Sequence, residues 1–226
     1  MSSDQKAAIA EFVGTFTLTF IGAGTGALAA NNGAGLIGVA LAHGLALMVI
    51  AYTWGSMSGA HVNPAVTLGI ALTGRISWPK AVIYWVAQCV GAIAAAYLLV
   101  YLVGAETGLG ATTGSLTPSA TNTGDPTKVI VVEAVLTFFL MCSVFASGVL
   151  GLNGNVAGIA IGLVLTMDIL MGGALTGASM NPARTLGPAL ALQDMSYLWM
   201  YLVGPAAGAA VGALLFNCLS SECKKS

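Results

Sequence analysis

The segment Gly59-Ala-His-Val-Asn-Pro-Ala-Val-Thr-Leu-Gly69 returns as Gly177-Ala-Ser-Met-Asn-Pro-Ala-Arg-Thr-Leu-Gly187, changed only where His61, Val62 and Val66 give way to Ser179, Met180 and Arg184. A repeat this close marks the chain as one unit duplicated. A weaker echo, Glu11-Phe-Val-Gly-Thr-Phe16 against Glu133-Ala-Val-Leu-Thr-Phe138, carries the repeat back to the start of each half. In both copies Asn takes the N-cap place and Pro the first helical place, where its missing N–H costs nothing. A single Asn-Pro would read as an ordinary helix cap. Two in matched places of a duplicated chain point to a shared task.

The chain is 57% hydrophobic and 7% charged over 226 residues, whereas soluble domains carry about a quarter charged residues. Lipid is therefore its solvent. Nearly unbroken apolar runs cover Ala7–Ala30, Leu36–Met57, Ala81–Val103, Val129–Leu152, Val156–Leu175 and Leu198–Leu219, each near the roughly 20 residues that cross hydrocarbon as a helix. These Gly- and Ala-rich runs lack the alternation of barrel strands, so the sequence predicts an all-α membrane protein with six transmembrane helices. The first run is too long for a signal-peptide core, carries Glu11 and has a counterpart later in the chain, and it reads as the first span.

Three spans per half is an odd number, so the second half enters from the opposite face and the repeat is inverted. Residues 1–103 read as the first repeat, 104–127 as a connecting loop and 128–226 as the second repeat. The stretches 64–73 and 182–192 are about half a span long, follow Gly-rich backbone, and read as two re-entrant half-helices that meet from opposite sides. Lys6, Arg75, Lys80, Lys224 and Lys225 fall on one face and Lys128 on the other, which by the positive-inside rule puts both termini in the cytoplasm. Gly104–Thr127 is rich in Gly, Thr and Ser without any aromatic, and reads as an exposed extracellular linker with nothing beyond vestibule contacts. Gly spacings such as Gly204, Gly208 and Gly212 read as helix packing.

Several function classes fall away. No basic tract or aromatic-basic platform is present for nucleic acid. Cys89, Cys142, Cys218 and Cys223 show no metal-ligand spacing and imply no disulfide. No nucleophile with its base, metal cluster or phosphate loop appears, so no enzyme and no cofactor is expected.

The paired Asn63-Pro64-Ala65 and Asn181-Pro182-Ala183 resemble the signature of the aquaporin, or major intrinsic protein, family. Arg184 directly after the second motif, Glu11 and Glu133 in the first span of each half, and Gly204-Pro205 match the same pattern, over essentially the whole chain. The resemblance implies a passive water channel in the lipid bilayer, a homotetramer with one pore per protomer. Two half-helix N-termini at the midplane oppose cations. The amides of Asn63 and Asn181 would donate to a passing water oxygen and interrupt proton relay. Carbonyls of Gly59, Ala60, His61, Gly177, Ala178 and Ser179 would line the path.

The narrowest ring of the family falls on His43, Ile169, Ala178 and Arg184. His43 in an apolar run is either a packed histidine or a pore-lining one, and ionisable residues at membrane depth usually face a cavity. The ring is similar to that of tonoplast-type aquaporins, wider than in strict water channels, and would admit water and other small neutral solutes: ammonia, hydrogen peroxide, urea or glycerol. Thr185 and Ala189 stand where glycerol facilitators carry Asp and a basic residue, which favours water. Leu202 after Tyr201, where water channels pair two aromatics, suggests mixed selectivity. Glu11 and Glu133 read as acceptors for the loop backbone of their own halves and not as a proton relay. Asp168 reads either as a carboxylate bonded to neighbouring helix groups or as a group that tunes the outer vestibule or holds His43. The rival function is an ion- or proton-coupled transporter, which inverted repeats also build.

Overall fold

The computed structural model describes residues 1–119 and 122–222. Cys223, Lys224 and Lys225 lie outside these. The order of helices is α1 Ser3–Asn32, α2 Gly35–Ser58, α3 Pro64–Leu72, α4 Trp78–Val103, α5 Pro126–Val144, α6 Ala157–Thr176, α7 Pro182–Ala191 and α8 Leu198–Glu222. Among the described residues six helices are long and apolar enough to cross a membrane: α1, α2, α4, α5 with the π turn Phe145–Val149 that extends it, α6 and α8. The half-helices α3 and α7 each stop one residue short of the predicted 73 and 192.

Local chemistry sets the ends. Ser2 and Gln5 form a reciprocal capping box that opens α1. Asp125 caps α5, accepting from the Lys128 N–H at 3.1 Å and pairing with Lys128 Nζ at 3.1 Å; these bonds hold its carboxyl below the usual carboxylate range. Helices α2 and α6 both end in a left-handed glycine, Gly59 at φ 89° and Gly177 at φ 84°, a conformation that only Gly adopts without penalty.

The spans pack backbone to backbone. At the α1–α4 crossing a methyl on Gly91 would collide with the Phe12 carbonyl, and at the α5–α8 crossing one on Gly208 would collide with the Ala134 carbonyl. These two crossings are copies of each other. Lipid offers no hydrophobic drive between helices, so close approach through small residues supplies the contact. Large apolar side chains such as Leu163, Met171 and Val211 are left on the outer surface.

Asp4 pairs with Lys80 at 3.4 Å and Arg75 Nη2 donates to Asn217 Oδ1 at 3.2 Å. These bonds gather the start of α1, the α3–α4 turn and the end of α8 on one side, here the terminal face. The connecting segment lies on the other side, and it departs from the expected exposed linker. Leu109, Thr112 and Thr117 are buried, and the N–H groups of Ser115 and Leu116 donate to the carbonyls of Ala174 and Leu175 at 3.0 and 2.9 Å. Its Gly and Thr residues let it lie flat on the end of α6, where backbone bonds hold it; composition alone does not distinguish that from solvation.

Replacing Gly208 with Val should separate α5 from α8. The overpacking should lower the midpoint of thermal aggregation in detergent by on the order of 10 °C, while Val at the lipid-facing Leu202 should leave the midpoint unchanged.

Candidate functional site

Between α2 and α3, and again between α6 and α7, the backbone alternates into the left-handed region at non-glycine residues: Ala60 (φ 49°) and Val62 (42°), then Ala178 (45°) and Met180 (52°). Such residues cost on the order of 1–3 kcal/mol each and persist only where the surroundings enforce them. Glu11 supplies the enforcement in the first half. Its carboxylate accepts from Ser58 Oγ at 2.6 Å, the N–H groups of His61 and Val62 at 2.9 and 2.6 Å, and Gln88 Nε2 at 2.7 Å. Glu133 does the same in the second half, accepting from Thr176 Oγ1 at 2.7 Å and the N–H groups of Ser179 and Met180 at 3.0 and 2.7 Å. Hydrogen bonds to a charged acceptor contribute about 1.5–3 kcal/mol each, enough to offset the strain of each loop. A tyrosine on the facing helix completes each clamp: Tyr84 donates to the Ser58 carbonyl and Tyr201 to the Thr176 carbonyl.

At the midplane the two halves hold each other. Asn63 Oδ1 caps α3 through the Ala65 N–H at 2.9 Å while its Nδ2 donates to the Met180 carbonyl of the other loop at 2.8 Å. Asn181 Oδ1 caps α7 through the Ala183 N–H at 3.1 Å while its Nδ2 donates to the Val62 carbonyl at 2.8 Å. Each amide nitrogen carries two hydrogens, so one remains on each Asn after the crossed bonds are made. Pro64 and Pro182 open their helices beside these caps, Ala65 and Ala183 follow fully buried, and the two helix N-termini face each other.

A cavity of about 400 Å³ runs past both asparagines, from His43 and Arg184 at one end to Arg75 and Val149 at the other. Leu47, Leu140, Ile161 and Leu165 form its apolar wall, and the strip Gly59, Ala60, His61 and Asn63 forms its polar wall. Among the described residues no carboxylate borders it. His61 Nδ1 lies 3.1 Å from Thr67 Oγ1, which itself donates to the Asn63 carbonyl. Nδ1 is therefore the donor, and the Nε2 lone pair is left for the cavity.

At the outer end His43 and Arg184 touch. His43 Nδ1 donates to the Val39 carbonyl at 2.8 Å, so Nε2 is the acceptor for Arg184 Nε and Nη2 at 3.3 and 3.2 Å. Arg184 Nη1 donates to the Gly110 carbonyl at 2.7 Å. Gly22 on α1 makes room for the imidazole, since a methyl there would collide with the ring. Gly110 belongs to the connecting segment, so that segment positions a charged residue at the cavity mouth, contrary to the expectation of vestibule contacts alone.

The remaining candidates fall differently. Ile169 and Ala178 are buried in the main apolar core and do not border the cavity. Of the outer loop carbonyl residues, only Ser179 reaches the cavity, because residues 112–113 lie against Gly177 so closely that a methyl there would strike their backbone. Thr185 is tied into a hydroxyl chain, Ser179 Oγ to Thr185 Oγ1 at 2.6 Å and on to Thr112 Oγ1 at 2.9 Å, while Ala189 is buried beside Tyr197 and Tyr201. Leu202 is 46% exposed on the outer surface; its departure from an aromatic pair does not touch the cavity. Asp168 is 1% exposed with no hydrogen-bond partner at Oδ2, and it does not hold His43, both of whose ring nitrogens are engaged elsewhere. Gln88, Gly22, Gly110, Thr112 and the tyrosine pair gave no motif in the sequence, because their partners are distant along the chain.

Replacing Glu133 with Gln puts an amide against the N–H groups of Ser179 or Met180. The change should cost about 2–4 kcal/mol, read as a lower thermal midpoint in detergent and as loss of most water flux in proteoliposomes, with Glu11→Gln behaving alike.

The chain is similar to known proteins over nearly its whole length. The family model described as major intrinsic protein matches residues 1–216. Aquaporin TIP1-2 of Zea mays is 43% identical over 94% of this chain and 85% of its own length, and aquaporin TIP2-3 of Arabidopsis thaliana is 38% identical over 95% and 87%. In three dimensions the aquaglyceroporin of Plasmodium falciparum, at 25% identity, superposes with a TM-score of 0.82 over 95% of this chain and 96% of its own. The chain therefore belongs to the major intrinsic protein family, the aquaporins, and is a passive membrane channel for water and not an enzyme.

Proposed function

We propose that water crosses this chain in the cavity between Arg75 and Arg184, and that His43 and Arg184, which meet at its outer end, form its selectivity filter, with Ile169 and Ala178 packed in the core off the cavity wall. The observation that carries the reading is the pair of crossed bonds between Asn63 and Met180 and between Asn181 and Val62. They fix both amides at the cavity wall with one hydrogen each to spare. A water oxygen that accepts from both is oriented with its own hydrogens pointing away along the path, so it cannot accept a proton from the file. The opposed helix N-termini raise the cost of a cation at that point. Gly59, Ala60, His61 and Ser179 offer acceptors along the polar wall, which replaces hydration cheaply while the apolar wall binds nothing.

At the filter Arg184 is held by the Gly110 carbonyl and by His43. We expect ammonia, hydrogen peroxide and urea to accompany water, and the likeness to an aquaglyceroporin supports glycerol as a further solute. The protein is expected to work as a homotetramer, with the terminal face, which carries Lys6, Arg75 and Lys80, in the cytoplasm. A proton- or ion-coupled transporter needs titratable carboxylates along its path, whereas Glu11 and Glu133 are consumed by the loops and neither they nor Asp168 border the cavity.

Stopped-flow light scattering on proteoliposomes should give water flux well above empty vesicles, with a low activation energy and no proton leak. Replacing Arg184 with Val removes a fixed charge at the filter and should raise glycerol and proton leak by about tenfold. An unchanged leak would place the filter elsewhere.

A further inference from the structure

The cavity carries a second fixed cation. Arg75 borders its terminal end, directly after the half-helix α3. Gly74 turns left-handed at φ 71°, its N–H donates to the Ala71 carbonyl at 3.0 Å, and the Arg75 N–H donates to the Ile70 carbonyl at 3.2 Å. This paired closure fixes the direction in which the chain leaves the helix. Two other elements then position the side chain. Nη2 donates to Asn217 Oδ1 on α8 at 3.2 Å, and the guanidinium carbon lies 5.1 Å from the centroid of the Phe145 ring. Phe145 is buried and opens the π turn whose Gly148 and Val149 also border the cavity.

Neither contact neutralises the charge. An amide oxygen and an aromatic face hold a guanidinium without supplying a counter-ion. Among the described residues the ion pairs are Lys80 with Asp4 and Lys128 with Asp125, and none involves Arg75. Nor does the repeat demand a charge here. The matching turn after α7 closes the same way, through the N–H groups of Gln193 and Asp194 to the carbonyls of Leu190 and Ala189. Yet Asp194 spends its carboxylate on Ser196 and does not border the cavity.

We propose that Arg75 is a specificity-determining residue: a positioned guanidinium, with no ion-pair partner among the described residues, at the terminal mouth that turns back small cations before they reach the midplane, in series with Arg184. The proposal rests on the pore assigned above. A unit charge at a mouth with low-dielectric walls acts on every cation that enters, and acts more weakly as salt screens it.

The test compares Arg75→Lys, Arg75→Gln and Arg75→Glu, each in the Arg184→Val background so that the outer barrier does not mask the inner one. Potassium and methylammonium leak are measured in the same proteoliposomes as water flux, and the ratio of leak to water flux is read at low and high salt. The ratio should rise in the order Lys, Gln, Glu, by on the order of tenfold from Lys to Glu at low ionic strength, and the spread should shrink to within about twofold near 1 M salt. A ratio equal in all three, with water flux intact, overturns the role of Arg75. So does a ratio raised equally by Lys, Gln and Glu relative to Arg, which would make the Asn217 and Phe145 contacts matter and not the charge. Absence of water flux in the unsubstituted protein would instead overturn the pore assignment.

Discussion

Two carboxylates buried in the membrane, Glu11 and Glu133, hold backbone that would not keep its shape alone. A β-branched Val62 at φ 42° and its counterpart Met180 at 52° sit in a region that chain sterics disfavour. Each is held because its N–H, and that of the residue before it, points at a carboxylate that has no water to turn to. Hydrocarbon makes this exchange compulsory: an unpaired N–H or carboxylate in lipid costs several kcal/mol. The bond pattern therefore fixes the loop, the loop presents Asn63 and Asn181, and those two residues tie the halves together across the midplane.

Function arises where the inverted repeat is broken. Both halves share the clamp, the cap, the crossed amide and the left-handed glycine. The first half leaves its loop open to the cavity through Gly59, Ala60 and His61, and spends Gln88 on its glutamate. The second half is covered by the connecting segment, which reaches over Gly177, accepts from Arg184 at Gly110 and joins Thr112 to the Thr185 hydroxyl. Where Gln88 stands on α4, the equivalent place on α8 is Pro205, which cannot donate. The result is a loop open to the cavity on the terminal side and a covered loop beside Arg184 on the other, built from one duplicated plan.

Much of the architecture was legible in the sequence because lipid enforces simple rules. Spans must be long, apolar and helical, and a short segment opened by Asn-Pro after Gly-rich backbone cannot cross. The loop-holding part for Glu11 and Glu133 could be read from their matched places in the repeat. The connecting segment could not: a run of Gly, Thr and Ser looks alike whether it is solvated or laid on helix ends by backbone bonds. Leu202 and Asp168 were similarly opaque, since one face of a helix differs from another only through its neighbours.

By itself the amino-acid sequence determined the six spans, the duplication, the two half-helices and their caps, because each follows from local composition or from spacing along the chain. Tertiary structure decided which donors reach which acceptors: Arg184 to His43 across 141 positions, Asn181 to Val62 across 119, Arg75 to Asn217 across 142. Such pairs depend on how packed helices bring distant residues to one depth in the membrane. That depth, set by close crossings such as Gly91 of α4 against α1 and Gly208 of α8 against α5, cannot be read from any one segment.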